Sequence, residues 1–231
     1  MTLLATLLRN IKKAQQFFVR FVGSWRGGLF VFLQIYFITS LALHAAPTRF
    51  LVKGVEDGDT IVLADGERVR YLGIDAPEVS RGDKPGEPYG YEASRFNRNL
   101  VLGRWVTLEF GEEKRDHYGR LLAFVFLEDS TFVNGELVRL GYAYLLRRQP
   151  GLPHWDKLLE HQGQALRARR GMWSIAPINS ERYYLGNKRS WVFHRPNCPF
   201  GKKTAANNRI RFEDRFQALY KGLSPCKRCK P

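Results

Sequence analysis

Three short runs rich in β-branched and aromatic residues follow one another almost without a break: Phe50 to Val55, Thr60 to Leu63 and Arg68 to Ile74. Asp57-Gly58 and Asp65-Gly66 fill the gaps, and Asp-Gly is a turn pair. Tyr89 to Leu102 then reads as a helix with Ala93, Phe96, Leu100 and Val101 on one side, ending at Gly103. Two more strands are expected at Arg104 to Phe110 and Arg120 to Leu127, separated by the charged loop "GEEKRDHYGR". Helices at Val133 to Leu140 and His154 to Arg170 follow. Five short strands, one helix among them and two behind predict an α+β domain built on a small closed barrel.

Charge is distributed unevenly along the 231 residues, whose formal total is +15. Residues 1–47 carry five basic residues and no acid, residues 48–179 carry nineteen of each sign, and residues 180–231 carry thirteen Lys and Arg against three acids. The middle is neutral and the basicity belongs to the two ends, which predicts an anionic partner and leaves the fold open.

The first end reads as a targeting segment. Arg9, Lys12, Lys13, Arg20 and Arg26 precede the apolar stretch Leu29 to Leu43, and Ala45 and Ala46 precede Pro47. That order is the one found in secretory signal peptides, and the stretch is short beside the roughly 20 apolar residues a membrane span needs. A retained signal anchor with its positive end in the cytoplasm is the rival reading. Both predict an exported chain, periplasmic or secreted, with transient or permanent membrane contact through this segment.

Three polar clusters fall where strands meet turns: "EDGDT" at 56–60, "RYLGIDAPE" at 70–78 and "DHYGR" at 116–120. A barrel would carry all three to one rim. Arg70 shares strand parity with Leu72 and Ile74, so it is expected on an otherwise apolar face, where an unpaired charge costs several kcal/mol. An internal ion pair and a bound phosphate both satisfy it. Asp59 and Asp75 are hard oxygen donors, and two carboxylates with a main-chain carbonyl would leave part of a calcium shell open. Glu78 stands three residues beyond Asp75, stiffened by Pro77, where it could take a proton from water. Turn-forming and capping roles account for these acids equally well.

In order, DGDT, Arg70 followed five residues later by Asp-x-Pro-Glu, a YG-x-EA helix start, Asp-x-Tyr-Gly-Arg and a closing "GMWS" resemble the staphylococcal nuclease (thermonuclease) family, from about Lys53 to Ser174. The resemblance implies a five-stranded oligonucleotide-binding (OB-fold) barrel with three helices and a Ca²⁺-dependent phosphodiesterase acting on DNA and RNA. It makes Asp59, Asp75 and the backbone carbonyl of Ala76 calcium ligands, Arg70 and Arg120 phosphate-gripping arginines, and Glu78 the general base. His117, Tyr118 and Tyr144 are implied substrate contacts, with Tyr144 the nearest substitute for a family tyrosine and packing its competing role. The rival class is a silent nucleic-acid-binding module, which would be expected to lack some of these acids or arginines.

All three cysteines lie in the basic tail. His194 and Cys198 are four apart and Cys226 and Cys229 three apart, a set that would close a structural zinc shell. A Cys226 to Cys229 disulfide is the alternative in an oxidising compartment, but it leaves an odd thiol and no task for His194. From about Gly186 the tail resembles the zinc-binding domain of the bacterial Ada DNA-repair protein, whose four ligands are cysteines. His194 stands where Ada carries its methyl-accepting thiolate, so alkyl transfer is not expected, and a zinc domain that touches nucleic acid remains. These readings divide the chain into a signal peptide or anchor at 1–46, a nuclease-like domain at 48–174, a linker at 175–185 and a zinc-binding domain at 186–231.

Overall fold

The first three strands alternate around the two Asp-Gly turns, as expected: β1 (Arg49–Val55), β2 (Thr60–Leu63) and β3 (Arg68–Tyr71) pair antiparallel in sequence. They belong to a computed structural model that describes residues 48–147, 150–175 and 180–231. The targeting segment read at 1–46 lies outside the described residues. Among the described residues no helix is long and apolar enough to cross a membrane.

The run expected to continue from Arg68 to Ile74 breaks after Tyr71. Gly73 takes a left-handed φ of 78°, open to glycine at little cost, and a Cβ there would also lie 2.8 Å from the Leu158 side chain. The chain turns, and Ile74–Asp75 forms a separate strand, β4, so Arg70 and Ile74 do not share one strand's parity. β5 (Trp105–Arg115) and β6 (Leu121–Leu127) complete the ring in the order β1-β2-β3-β6-β5, with β3 parallel to β6 and β5 closing it by pairing antiparallel with β1. β5 extends five residues into the stretch expected as a loop. Arg115 pairs there with Leu121, and its guanidinium bonds both carboxylate oxygens of Glu67.

Val52, Ile61, Leu63, Val69, Val106 and Val125 fill the ring, all essentially water-free. Fully burying one such side chain is worth about 1.5–3 kcal/mol. Three helices cover it: α1 (Gly90–Val101), α2 (Val133–Arg139) and α3 (Trp155–Arg167). α1 turns Ala93, Asn97 and Val101 inward at i, i+4 and i+8, with Phe96 and Leu100 beside the core. Buried Asn97 accepts from the Tyr71 hydroxyl at 2.9 Å and donates to the Asp57 carbonyl at 3.1 Å, which ties α1 to the first Asp-Gly turn.

The tail is a four-stranded sheet in the order β10-β8-β9-β11, formed by β8 (Tyr184–Asn187), β9 (Val192–His194), β10 (Arg209–Phe212) and β11 (Ser224–Pro225). Two short helices, α4 (Pro199–Lys202) and α5 (Arg215–Tyr220), pack on it. β8 begins at Tyr184, inside the stretch read as linker, because that tyrosine is buried in the tail's core. The core is shared: Tyr184, Phe193, Phe212, Leu219 and Leu223 pack with Ala165, Leu166 and Trp173 of the barrel region. Residues 48–231 accordingly form one compact unit. Gln162 ties the regions, accepting from the Leu145 N–H at 2.9 Å and donating to the Leu219 carbonyl at 2.6 Å.

Candidate functional site

Two local devices bring Asp59 to Asp75. Asp57 closes the turn before β2 by accepting the Asp59 N–H at 3.1 Å. Gly58 lets that turn lie flat against the β4 end, since a Cβ there would fall 2.6 Å from that of Ala76 and 2.8 Å from that of Ala93. Asp59 Oδ2 then accepts the Ala76 N–H at 2.6 Å. Asp57 itself serves as a turn residue, its other oxygen held by Arg81 at 2.7 Å.

Arg70, opposite Thr60 in the β2–β3 register, lies between the two acids. Its Nη1 is 3.0 Å from Asp59 Oδ2 and its Nη2 2.6 Å from Asp75 Oδ1, while Nη1 also donates to the carbonyls of Tyr71 and Ile74. Of the two partners open to Arg70 on sequence grounds, the internal acids are the ones observed. Burial weakens its charge, but the carboxylates of Asp59 and Asp75 more than offset that and keep it charged.

β4 pairs with β7 (Tyr144–Leu145), placing Tyr144 opposite Asp75, and the phenol donates to Asp75 Oδ2. Burial, followed by the Asp75 charge, pushes the phenol above its ordinary range, so it stays a neutral donor. The hydroxyl expected to touch nucleotide is thus committed to the carboxylate. Arg120 is held by Asp116 at 2.7–2.8 Å and reaches the Thr60 hydroxyl at 3.4 Å. That hydroxyl donates to Asp59 Oδ1 at 3.2 Å. Tyr118 is exposed beside Arg120, whose guanidinium lies 5.5 Å from its ring centroid, and the His117 ring lies against Tyr118, tilted by 43° with centroids 3.7 Å apart. Glu78 is exposed at the edge of the cluster. The structure therefore joins Asp59, Arg70, Asp75, Ala76 and Tyr144 directly, links Arg120 through Thr60, and leaves His117 and Tyr118 on an outer lip.

Asp57, Asp59 and Asp75 crowd together out of water. Burial pushes the Asp59 carboxyl up to about 7; Arg70 opposes the rise, and Asp57 and Asp75 add to it. Three buried carboxylates offering hard oxygen donors fit a calcium-type cation. One further group, which the sequence reading did not anticipate, claims the same atoms. Lys227, from the loop between Cys226 and Cys229, places Nζ 2.9 Å from Asp75 Oδ2, 3.1 Å from Oδ1 and 3.8 Å from Glu78 Oε1. A groove of about 890 Å³ opens beside it between barrel and tail, lined by Asp75, Tyr144, Arg147, Phe200, Lys227 and Arg228.

In the tail, the ligand atoms of His194, Cys198, Cys226 and Cys229 all lie within 4.8 Å of one another, and the three cysteines are free thiols. Tetrahedral zinc with Zn–S bonds of about 2.3 Å has ligand atoms ~3.8 Å apart, so the quartet fits. Burial holds the His194 imidazole below its usual value, in the neutral form a ligand needs, and burial and the neighbouring thiols push Cys229 up to about 12. A divalent ion would relieve that strain by holding the sulfurs as thiolates. The Arg195 N–H points at Cys229 Sγ from 3.3 Å, and its side chain grips the carbonyls of Cys229 and Lys230 at 2.9 Å, fixing the loop that carries Lys227.

A family model described as staphylococcal nuclease homologue matches residues 68–175, and one described as the metal binding domain of Ada matches residues 176–231. A thermonuclease of Staphylococcus hyicus is 35% identical over 134 residues, 57% of this chain and 79% of its own length. A thermonuclease of Staphylococcus intermedius is 38% identical over 127 residues, 54% of this chain and 75% of its own. Endonuclease YncB of Bacillus subtilis is 33% identical over 138 residues, 56% of this chain and 64% of its own. With the closed five-stranded ring, the acid and arginine cluster at its rim and the His/Cys quartet behind it, the chain belongs to the staphylococcal nuclease homologue family and carries a zinc-binding domain of the Ada type.

Proposed function

We propose that this chain is an exported, Ca²⁺-dependent nuclease that hydrolyses phosphodiester bonds of DNA and RNA to 3′-phosphate and 5′-hydroxyl ends. The observation that carries this reading is the hydrogen-bonded cluster of Asp59, Arg70 and Asp75 at the barrel rim, with Glu78 and Arg120 at its edge. Relatives named thermonuclease and endonuclease support the reaction class.

Asp59, Asp75 and the Ala76 carbonyl would hold the calcium ion, which would supply Lewis-acid charge beside the phosphate. Glu78, open to solvent, takes the proton from the attacking water. Arg120 hydrogen-bonds the phosphate oxygens with the nitrogens it does not spend on Asp116, and Arg70 adds fixed positive charge from behind, where preorganised donors are worth several kcal/mol. Tyr118 and His117 stack against the nucleotide on the lip, and Tyr144 holds Asp75 in place. The tail, with its surplus of ten positive charges, captures nucleic acid through phosphate contacts, and the groove beside Lys227 gives a strand a path to the rim. Export is supported by the cationic, apolar and small-residue order of the first 46 residues, which touch the membrane in transit.

Digestion of DNA and RNA by the full chain, with and without chelator and with the new ends labelled, tests the reading. Products as stated, lost on chelation, are expected; digestion that survives chelation removes the cation from the account.

A further inference from the structure

Lys227 of the tail reaches Asp75 and Glu78 at the rim, and its position is built rather than casual. Lys227 lies between two members of the zinc quartet, so ligation at Cys226 and Cys229 fixes the backbone on both sides of it. Arg195 clamps the same loop, Ser224 Oγ donates to the Leu145 carbonyl at 2.8 Å just before it, and Lys230 bonds Glu87 at 2.8 Å just after it.

Each Asp75 oxygen already has two partners. Oδ1 faces Arg70 and Lys227; Oδ2 faces Tyr144 and Lys227. A divalent cation must take a lone pair from one of them. Arg70 is buried and Tyr144 half-buried, whereas the Lys227 side chain is 62% exposed and is the one of the three that can swing its charge into water. Charge points the same way, because Arg81 answers Asp57, Arg70 lies between Asp59 and Asp75, and Lys227 supplies the third positive charge against three buried acids.

We propose that Lys227 is a residue of the nuclease site, presented by the zinc loop, whose ammonium and the catalytic cation are alternatives on Asp75, so that this lysine sets the cation affinity. The proposal rests on the calcium reading above. Lys227 is a positioning residue that acts through Asp75, and zinc acts on the rim through it.

Calorimetric titration of Ca²⁺ into the zinc-loaded full chain, compared with Lys227→Met and Lys230→Met, tests it. Lys230→Met removes the same charge from the same loop but leaves Asp75 untouched. Lys227→Met is expected to bind Ca²⁺ about tenfold more tightly, with Lys230→Met within about twofold of the unaltered chain. Damage to the fold weakens binding, so the sign of the change separates competition from disruption. Equal affinity in Lys227→Met and the unaltered chain, or an equal gain in both variants, overturns the proposal. Absence of calcium binding in the unaltered chain removes the calcium reading, and this proposal falls with it.

Discussion

Nη2 of Arg70 lies 2.6 Å from Oδ1 of Asp75, five residues along the chain but across the Gly73 turn. Arg70 meets Asp59 from the other side, which makes it the keystone of a buried acidic cluster. Replacing Arg70 with Met leaves Asp59 with neutral donors only and Asp75 with Lys227 and Tyr144, and is expected to cost about 3–5 kcal/mol, measured by urea denaturation without divalent cation. A loss below ~1 kcal/mol would mean the acids find other partners.

The same cluster predicts a pH dependence. Asp59 ionises near its ordinary value of 3.8 in the unfolded chain and at about 7 in the folded one. The folded state therefore holds the extra proton between these values, and this group's contribution is fully present below about 3.8 and lost as pH rises through 7. Cation-free protein is expected to lose stability across that window, and saturating calcium to restore it at the upper end. Thermal melts at several pH values, with and without calcium, measure both effects.

Gly58→Ala drives a methyl into the side chains of Ala76 and Ala93. The expected cost is about 1–3 kcal/mol, with weaker calcium binding because Asp59 is carried on the displaced turn. Calorimetry and a calcium titration on the same sample read the two losses together.

Zinc removal should loosen the tail and the barrel helix that shares its core. Elemental analysis is expected to find one zinc per chain, lost in Cys226→Ser. Trp173, 6% exposed among Leu166, Tyr184 and Phe193, should then shift its fluorescence to longer wavelength. A zinc-free chain with unchanged Trp173 emission would contradict the shared core.

Cutting the tail off would strip that core, so its role in holding nucleic acid is better tested by charge. Neutralising exposed Lys188, Arg189, Lys202 and Lys203 should weaken binding and flatten the salt dependence by up to about 0.9 in log-log slope for each phosphate no longer neutralised. An unchanged slope would assign capture to the barrel alone.

The strands, the Asp-Gly turns and the helices were legible in sequence because each rests on local patterning, as with Ala93 and Val101 on the inner side of α1. The zinc quartet was legible because its spacing is local within each pair. What escaped depends on distance along the chain. Nothing near Tyr144 announces that its hydroxyl ends on Asp75, since β4 and β7 pair across 69 positions. Lys227 meets Asp75 across 152 positions and looks, in sequence, like one more charge in a basic tail. Gln162 and Asn97, polar residues within helices, are both buried connectors whose partners lie in other elements. The extension of β5 to Arg115 was hidden by charged residues that a two-stranded arm tolerates, because Glu67 answers Arg115 from the neighbouring turn.

Glu78→Gln tests the catalytic account most directly. The side chain is exposed and keeps its shape, so folding and calcium affinity should hold while turnover on DNA falls by about 10²–10⁴-fold. Turnover equal to that of the unaltered chain at saturating calcium would contradict it.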